Sequence, residues 1–356
     1  MKKRILIVKS ARHASTYYRL VQPANILLEM GHSVRETQCI DEKGLDWSVI
    51  ERDYDIVIFQ FGFLYNVVNL IKRFKKLGVL TILETDDDYY HIPAGNKAFW
   101  QLHPRVICYR VVYPDKPMQE VYAEHNYHVN RFMDNFKWAA SNVDILQVST
   151  QELKQYYSAL NDNIVVLENC IDNSLYDKVE KKEHDGVVMG WFGSAATHLM
   201  DIRYLVGAIP DNVTFLTYGH SDLGKAVFAD DKNVVSRGYF DLGDLPKILS
   251  QMDFGVVPLE DNKFNDGKSD LKGLEFAAMG LPVIASPVAP YRRFIRNMEN
   301  GILLKNNNGK NWLKAINLLA NDKDLRIRLG KEAKKDAIKR DIKSNIYKWV
   351  KAYGLE

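Results

Sequence analysis

The chain has 356 residues, 46% of them apolar and 26% charged, with 48 basic side chains against 45 acidic ones for a net charge of +3. That length exceeds one comfortable hydrophobic core and predicts two domains of about 170 residues each. The composition excludes a disordered or fibrous chain, and the near balance of charge excludes any inference of nucleic-acid binding from bulk charge alone.

The opening "MKKRILIVKSARH" is basic like a signal peptide, but its apolar run Ile5–Val8 is too short for one and reads as a first strand. With no run of about 18 apolar residues, a membrane span is not expected. Cys39, Cys108 and Cys170 lie far apart without a paired spacing. Reduced thiols in a cytoplasmic protein, and no disulfide, are the expectation.

The first half then alternates short, β-branched apolar runs with helical patterns: "RILIV" (4–8), "DIVIFQF" (55–61), "VLTILE" (79–84), "DILQV" (144–148) and "IVVLE" (164–168). Strands apolar on both faces are strands covered on both faces. Helices are predicted between them, including 67–77, stopped by Gly78, and 118–140. The alternation restarts with "VVMGWF" (187–192), "VTFLTYG" (213–219), "FGVVPL" (254–259) and "PVIAS" (282–286). Strand then helix, repeated, predicts parallel α/β sheets. The polar stretch Asp172–Gly186 carries no apolar period and reads as an interdomain linker. The expected division is a Rossmann-like domain at 1–171, a second at 172–340, and a basic terminal helix at 341–356. In that helix Ile342, Ile346 and Trp349, at i, i+4 and i+7, form a stripe to be buried.

The chemistry gathers at "DGKSDLKGLEFAAMGLPVIAS", residues Asp266 to Ser286. A strand, "FGVVPL", leads through "EDNKFNDGKS" into a helix with Ser269 or Asp270 as N-cap and Gly280 as stop, and open α/β sheets bind ligands at such strand ends. Free N–H groups and a partial positive charge mark a helix N-terminus, and Gly267 allows close approach of the backbone. Lys268 and Lys272 turn that end into an anion site suited to a diphosphate. Glu275, one turn on from Lys272, can accept hydrogen bonds from two adjacent hydroxyls, as in a ribose. The bland alternative is a solvated helix start holding an ion pair worth about 0.3 to 0.5 kcal/mol.

This block resembles the donor-site signature of group 1 (family 4) glycosyltransferases of the two-domain GT-B fold. "GWFGSAATH" (190–198), "LENCID" (167–172) and "YYRLVQPANILLEMGHSV" (17–34) are similar to further elements of that family. The resemblance implies two Rossmann-like parallel-sheet domains facing a central cleft, with the C-terminal helix crossing back to the first. It implies that Glu275 holds the ribose of a nucleotide-sugar donor while Lys268 and Lys272 neutralise its diphosphate; Ser269, on the same turn, is a further donor-binding candidate. It further implies retention of anomeric configuration with neither metal nor cofactor. Two departures stand out. The family's second glutamate, eight residues before the ribose-binding one, is here Gly267, with Asp266 or Asp270 as candidate substitutes. The Arg and Lys that commonly follow the first strand of the second domain are also missing from "GWFGSAATH". There, Gly193 and Ser194 are candidates for main-chain contacts to phosphate, against a plain strand-to-helix turn, and His198 is as readily structural as functional.

Three further clusters stay open. In "ETDDDYYH" the adjacent acids suggest a metal, a reading set aside because that motif belongs to a different architecture. Asp86, Asp87 or Asp88 orienting the acceptor hydroxyl stands against a capping role. Asp86 and Asp88 are taken as catalytic candidates, with His91 and His103 nearby. In "SARHASTYYR", Arg12, His13 and Arg19 face phosphate or acceptor, or simply water. "IKRFKKLG" and the basic terminal helix are solvated faces, or contacts for an anionic membrane or polyanion. The expected reaction moves a sugar from a nucleotide-sugar to a saccharide, a lipid-linked sugar or another hydroxyl, with a modified DNA base as a minor option. A non-catalytic partner subunit and a sugar-nucleotide epimerase are the rivals.

Overall fold

A computed structural model describes residues 2–9, 14–38, 47–50, 52–102, 131–229 and 231–356. Arg12, His13, His103, Cys39, Cys108 and residues 118–130 of the expected long helix lie outside the described residues. The chain divides into two compact units, Met1–Glu168 with Ile346–Glu356, and Asn169–Asn345. Among the described residues no helix is long and apolar enough to cross a membrane.

The first unit is built on a six-stranded sheet ordered β2-β1-β3-β4-β5-β6, parallel at every pairing. Its strands are β1 (Arg4–Lys9), β2 (Ser33–Gln38), β3 (Ile56–Gln60), β4 (Leu80–Thr85), β5 (Ile145–Val148) and β6 (Ile164–Val166). The apolar runs of β1 and β3 are buried because helices cover both faces of a parallel sheet. The Tyr65–Lys76 helix buries Val67, Val68, Leu70, Ile71 and Phe74. Gly78, at φ +70°, follows its C-cap, Leu77, where the chain must turn. Behind the sheet end, the Arg19 Nε donates to Glu84 Oε1 at 2.7 Å, and the Gln60 Nε2 donates to Glu84 Oε2 at 3.3 Å. Arg19, weighed above as a ligand contact, is therefore a core cation. Burial raises the Glu84 carboxyl and Arg19 pulls it back down. The terminal residues 346–356 belong to this unit: Trp349 is buried, and the Tyr353 hydroxyl donates to Gln147 Oε1 at 2.6 Å.

The second unit repeats the plan with β7 (Val187–Phe192), β8 (Val213–Tyr218), β9 (Val234–Arg237), β10 (Phe254–Val257), β11 (Val283–Ala285) and β12 (Ile302–Leu303). Their order is β12-β11-β10-β7-β8-β9, again all parallel. The chain winds outward from β7 to β9 and then returns to lay β10 against the other side of β7. Connections leave β7 and β10 in opposite directions, which makes the gap beyond their carboxyl ends the switch point where such sheets take ligands. Met189, Trp191, Phe215, Phe254, Val256 and Ile284 form the core beneath it. Residues 172–186 belong to this unit, tied down by Lys182 N donating to Ser250 O at 3.0 Å and by the Lys181–Asp253 pair at 2.6 Å.

The sheets gain β2, β9 and β12 over the strands expected from sequence. All three are edge strands. An edge strand is half solvated, so "SVRETQ" needs no continuous apolar run and carries none.

Candidate functional site

Beyond β10 the chain does not run as a plain loop. It forms one short helix, Lys263–Gly267, started by the Asn262 side chain accepting from Asn265 N at 2.9 Å. The Leu271–Ala278 helix follows, with Asp270 as N-cap residue by position only. Asp270's carboxylate makes no cap hydrogen bond and instead meets Arg340 Nη1 at 3.2 Å. Asp266 is likewise committed, accepting from Ala289 N at 2.8 Å at the start of the Ala289–Phe294 helix. At the far end Gly280 N donates to Ala277 O at 2.9 Å and Leu281 N to Phe276 O at 3.0 Å, the paired bonds of a Schellman stop. The helix start is braced from outside too: Asn169 Nδ2 donates to Ser269 Oγ at 2.9 Å.

Two cations stand at this start. The Lys272 Nζ lies 5.0 Å from the centroid of Trp191 and 3.4 Å from His198 Nε2. The Lys268 Nζ lies 4.3 Å from the centroid of Phe264. A ring face attracts an ammonium without cancelling its charge. Burial, then the like charge of Lys268, pushes the Lys272 amine down to about 8. One turn along, Glu275 is only 2% exposed.

From β7 comes the facing wall. Gly193 has φ +145°, and its N–H donates to Tyr218 O at 3.0 Å. That N–H is spent inside the sheet, so the residue's contribution is space: a Cβ there would meet Lys272 Nζ at 2.9 Å. Ser194 is the N-cap residue of the Ala195–Ile202 helix, and its carbonyl accepts from Thr197 N at 3.2 Å. From that helix His198 Nδ1 donates to Asp201 Oδ2 at 2.8 Å. The structure thus brings Gly193, Ser194, Gly267, Lys268, Ser269, Lys272 and Glu275 into one unit around one switch point. Trp191, Asp201, Asn265 and Asn169 were not singled out from sequence. Only the i, i+3 spacing of His198 and Asp201 was a readable signal.

The acidic cluster sits in the other unit, after β4. Asp88 is buried, with Oδ1 accepting from Tyr90 N at 3.1 Å and Oδ2 placed 2.6 Å from His91 Nδ1. It supports His91, whose side chain is 39% exposed. Asp86 is half-buried and its carbonyl accepts from Ser149 Oγ at 3.4 Å, while the Asp87 carbonyl accepts from the Tyr157 hydroxyl at 2.7 Å. Among the described residues no three His, Cys, Asp or Glu side chains gather as a metal-ligand set.

The family model for "Glycosyl transferases group 1" matches residues 187–322, which hold β7 through β12 together with Lys268 and Lys272. Those residues are a group 1 glycosyltransferase domain. No curated protein matches the chain by sequence. Among solved structures it is similar to sucrose-phosphate synthase from Thermosynechococcus elongatus, at 15% identity and TM-score 0.67 over 100% of this chain and 99% of that one. HepE from Anabaena in complex with UDP and glucose is similar at 13% identity and TM-score 0.68, covering 99% and 98%. WaaG, a glycosyltransferase of lipopolysaccharide biosynthesis, is similar at 14% identity and TM-score 0.60, covering 99% of each chain. The two Rossmann-like sheets of this chain are those of the GT-B fold.

Proposed function

We propose that the protein is a glycosyltransferase that binds a nucleotide-sugar on its second unit and transfers the sugar to a hydroxyl acceptor held by the first. The observation that carries this reading is the meeting of Lys268, Lys272 and the buried Glu275 at a helix start on the β7/β10 switch point. The leaving diphosphate gains charge as the glycosidic bond breaks, and cations poised at that helix end stabilise it. Glu275 accepts from the two ribose hydroxyls. Transfer proceeds with retention and without a metal, the two lysines supplying the charge. UDP is the first base to test, because the HepE complexes hold UDP and UDP-glucose. A saccharide or lipid-linked sugar is the acceptor class.

Calorimetric titration with UDP, GDP, ADP and dTDP tests the reading directly. Tight binding of one of them, lost in K268A, supports it, and no binding by any of the four sinks it. The second reading, a non-catalytic partner subunit, draws on Gly267 standing where the family resemblance implies a sugar-contacting glutamate, with Asp266 and Asp270 both engaged elsewhere. Slow hydrolysis of the matching nucleotide-sugar in the absence of acceptor separates the two, since only an active enzyme leaks donor to water.

A further inference from the structure

Asp201 is a carboxylate only 5% exposed that no part of the proposed chemistry uses. Its two oxygens reach different elements. Oδ2 accepts from His198 Nδ1 at 2.8 Å, and Oδ1 accepts from Glu260 N at 2.7 Å and Asn265 Nδ2 at 3.0 Å. Glu260 and Asn265 lie at the two ends of the turn that delivers Gly267 and Lys268, and His198 abuts Lys272. One buried group therefore touches the supports of both cations.

We propose that the His198–Asp201 pair positions the diphosphate-binding cations, the imidazole aiming the Lys272 ammonium and the carboxylate setting the Lys268 turn against it. The proposal rests on the reading that this helix start takes the donor diphosphate, and it accounts for a site that works without the Arg and Lys missing after β7.

The protonation pattern follows from the geometry. Burial opposes the charge on Asp201, but the His198 hydrogen bond and the Glu260 N–H hold its carboxyl below the usual range, so it is an ionised, acceptor-only group. His198 Nδ1 must then carry the proton, which leaves the Nε2 lone pair turned to Lys272. Burial and the neighbouring Lys272 charge push His198 down to about 4, so the ring is neutral at physiological pH. A neutral acceptor orients an ammonium yet leaves its whole charge for the ligand, whereas a carboxylate in the same place would neutralise it. Among the described residues, the groups that act on Lys272 besides the imidazole are Asp201 behind it, Lys268 on the preceding turn, Glu275 on its own helix and the Trp191 face from β7.

The test compares H198Q with H198L. Glutamine spans the same gap, its amide N–H₂ donating to Asp201 and its oxygen accepting from Lys272, and leucine does neither. Two readouts are taken: the dissociation constant of the nucleoside diphosphate selected above, and the Lys272 titration midpoint in ligand-free protein labelled with [ε-¹³C]lysine, its resonance assigned by its loss in K272R. H198L is expected to weaken nucleotide binding about tenfold and to move the midpoint below about 8, with H198Q restoring both to within about threefold of the parent. Should H198L fail to fold, H198N replaces it, since its shorter arm reaches Asp201 but not Lys272. Equal behaviour of H198Q and the non-accepting variant in both readouts, or an unmoved midpoint, overturns the proposal and leaves His198 a packing residue. If the parent protein binds no nucleoside diphosphate, the donor reading falls, and the ligand-free titration still decides whether His198 governs Lys272.

Discussion

Each unit ends a central parallel strand in a charged turn, and the two turns treat charge in opposite ways. After β10, at the switch point, Lys272 rests against the Trp191 face and a neutral imidazole and Lys268 against the Phe264 face, and the like charge of Lys268 bears on Lys272. After β4, one strand away from the β1/β3 switch of the first sheet, the charges are taken up locally. Glu84 is paired with Arg19, and both Asp88 oxygens are hydrogen-bonded. A buried charge costs several kcal/mol unless it is matched, and the fall of the Lys272 amine to about 8 reflects that cost. On the proposed reading the second unit's lysines meet the donor diphosphate, while in the first unit the buried Asp88 braces His91.

The sharpest way to break this comparison is to remove a cation. A charge-assisted hydrogen bond is worth about 1.5 to 3 kcal/mol, so K268A is expected to lower kcat/KM by roughly 10- to 150-fold. A loss below about threefold in steady-state assays with the matched nucleotide-sugar would return Lys268 to the status of a solvated surface residue.

Displacing a cation while keeping it should do less. In G193A the new methyl group lies 2.9 Å from Lys272 Nζ on a backbone at φ +145°, and the flexible lysine end yields more readily than the strand. Nucleotide affinity is expected to fall about tenfold, with a melting temperature lower by several degrees from the backbone strain. Unchanged affinity by calorimetry would mean that Lys272 has room the structure does not give it.

Proton removal sharpens the same point with opposing signs. The Lys272 amine titrates near 8 in the fold and near 10.4 in the unfolded chain. Between those values the unfolded state holds the extra proton, so this group's contribution to stability rises with pH from about 8 upward. Nucleotide binding needs the proton and falls about tenfold from pH 7 to 9 if the charged form alone binds. Calorimetry and thermal melts across that range should therefore move in opposite directions, and K272R, charged throughout, should flatten the binding trend. Parallel movement would sink the assignment.

How much of this was readable beforehand depends on what each residue's signal is made of. Buried central strands such as β1, β3, β7 and β10 announce themselves because covering both faces demands continuous apolar residues. Lys268, Lys272 and Glu275 were legible because a helix N-terminus fixes their positions by short-range spacing alone. Asp201 and Asn265 were not: they meet across 64 residues of chain, through a hydrogen bond that only the β7/β10 adjacency creates. The fates of Asp88, Asp266 and Asp270 were equally hidden. A carboxylate facing a ligand and one capping a neighbouring helix look alike in a sequence, and the difference lies in partners such as Ala289 N and Arg340.

The smallest expected effect belongs to the first unit. His91 stands 39% exposed, with Nδ1 placed 2.6 Å from the buried Asp88. If this imidazole orients the acceptor hydroxyl, H91A removes one ordinary hydrogen bond worth about 0.5 to 1.5 kcal/mol, and transfer should slow about 2- to 10-fold. Because the donor cations sit on the other unit, the dissociation constant of the nucleoside diphosphate should not change. That split is what distinguishes the two turns: second-unit variants are expected to move donor binding, and a first-unit variant to move turnover alone. D88N provides the control, since a side-chain amide in place of the carboxylate weakens the hold on Nδ1 and should reproduce part of the H91A loss. Should H91A leave both turnover and donor affinity untouched, the acidic turn after β4 is an element of the fold, and the acceptor must be sought elsewhere in the first unit.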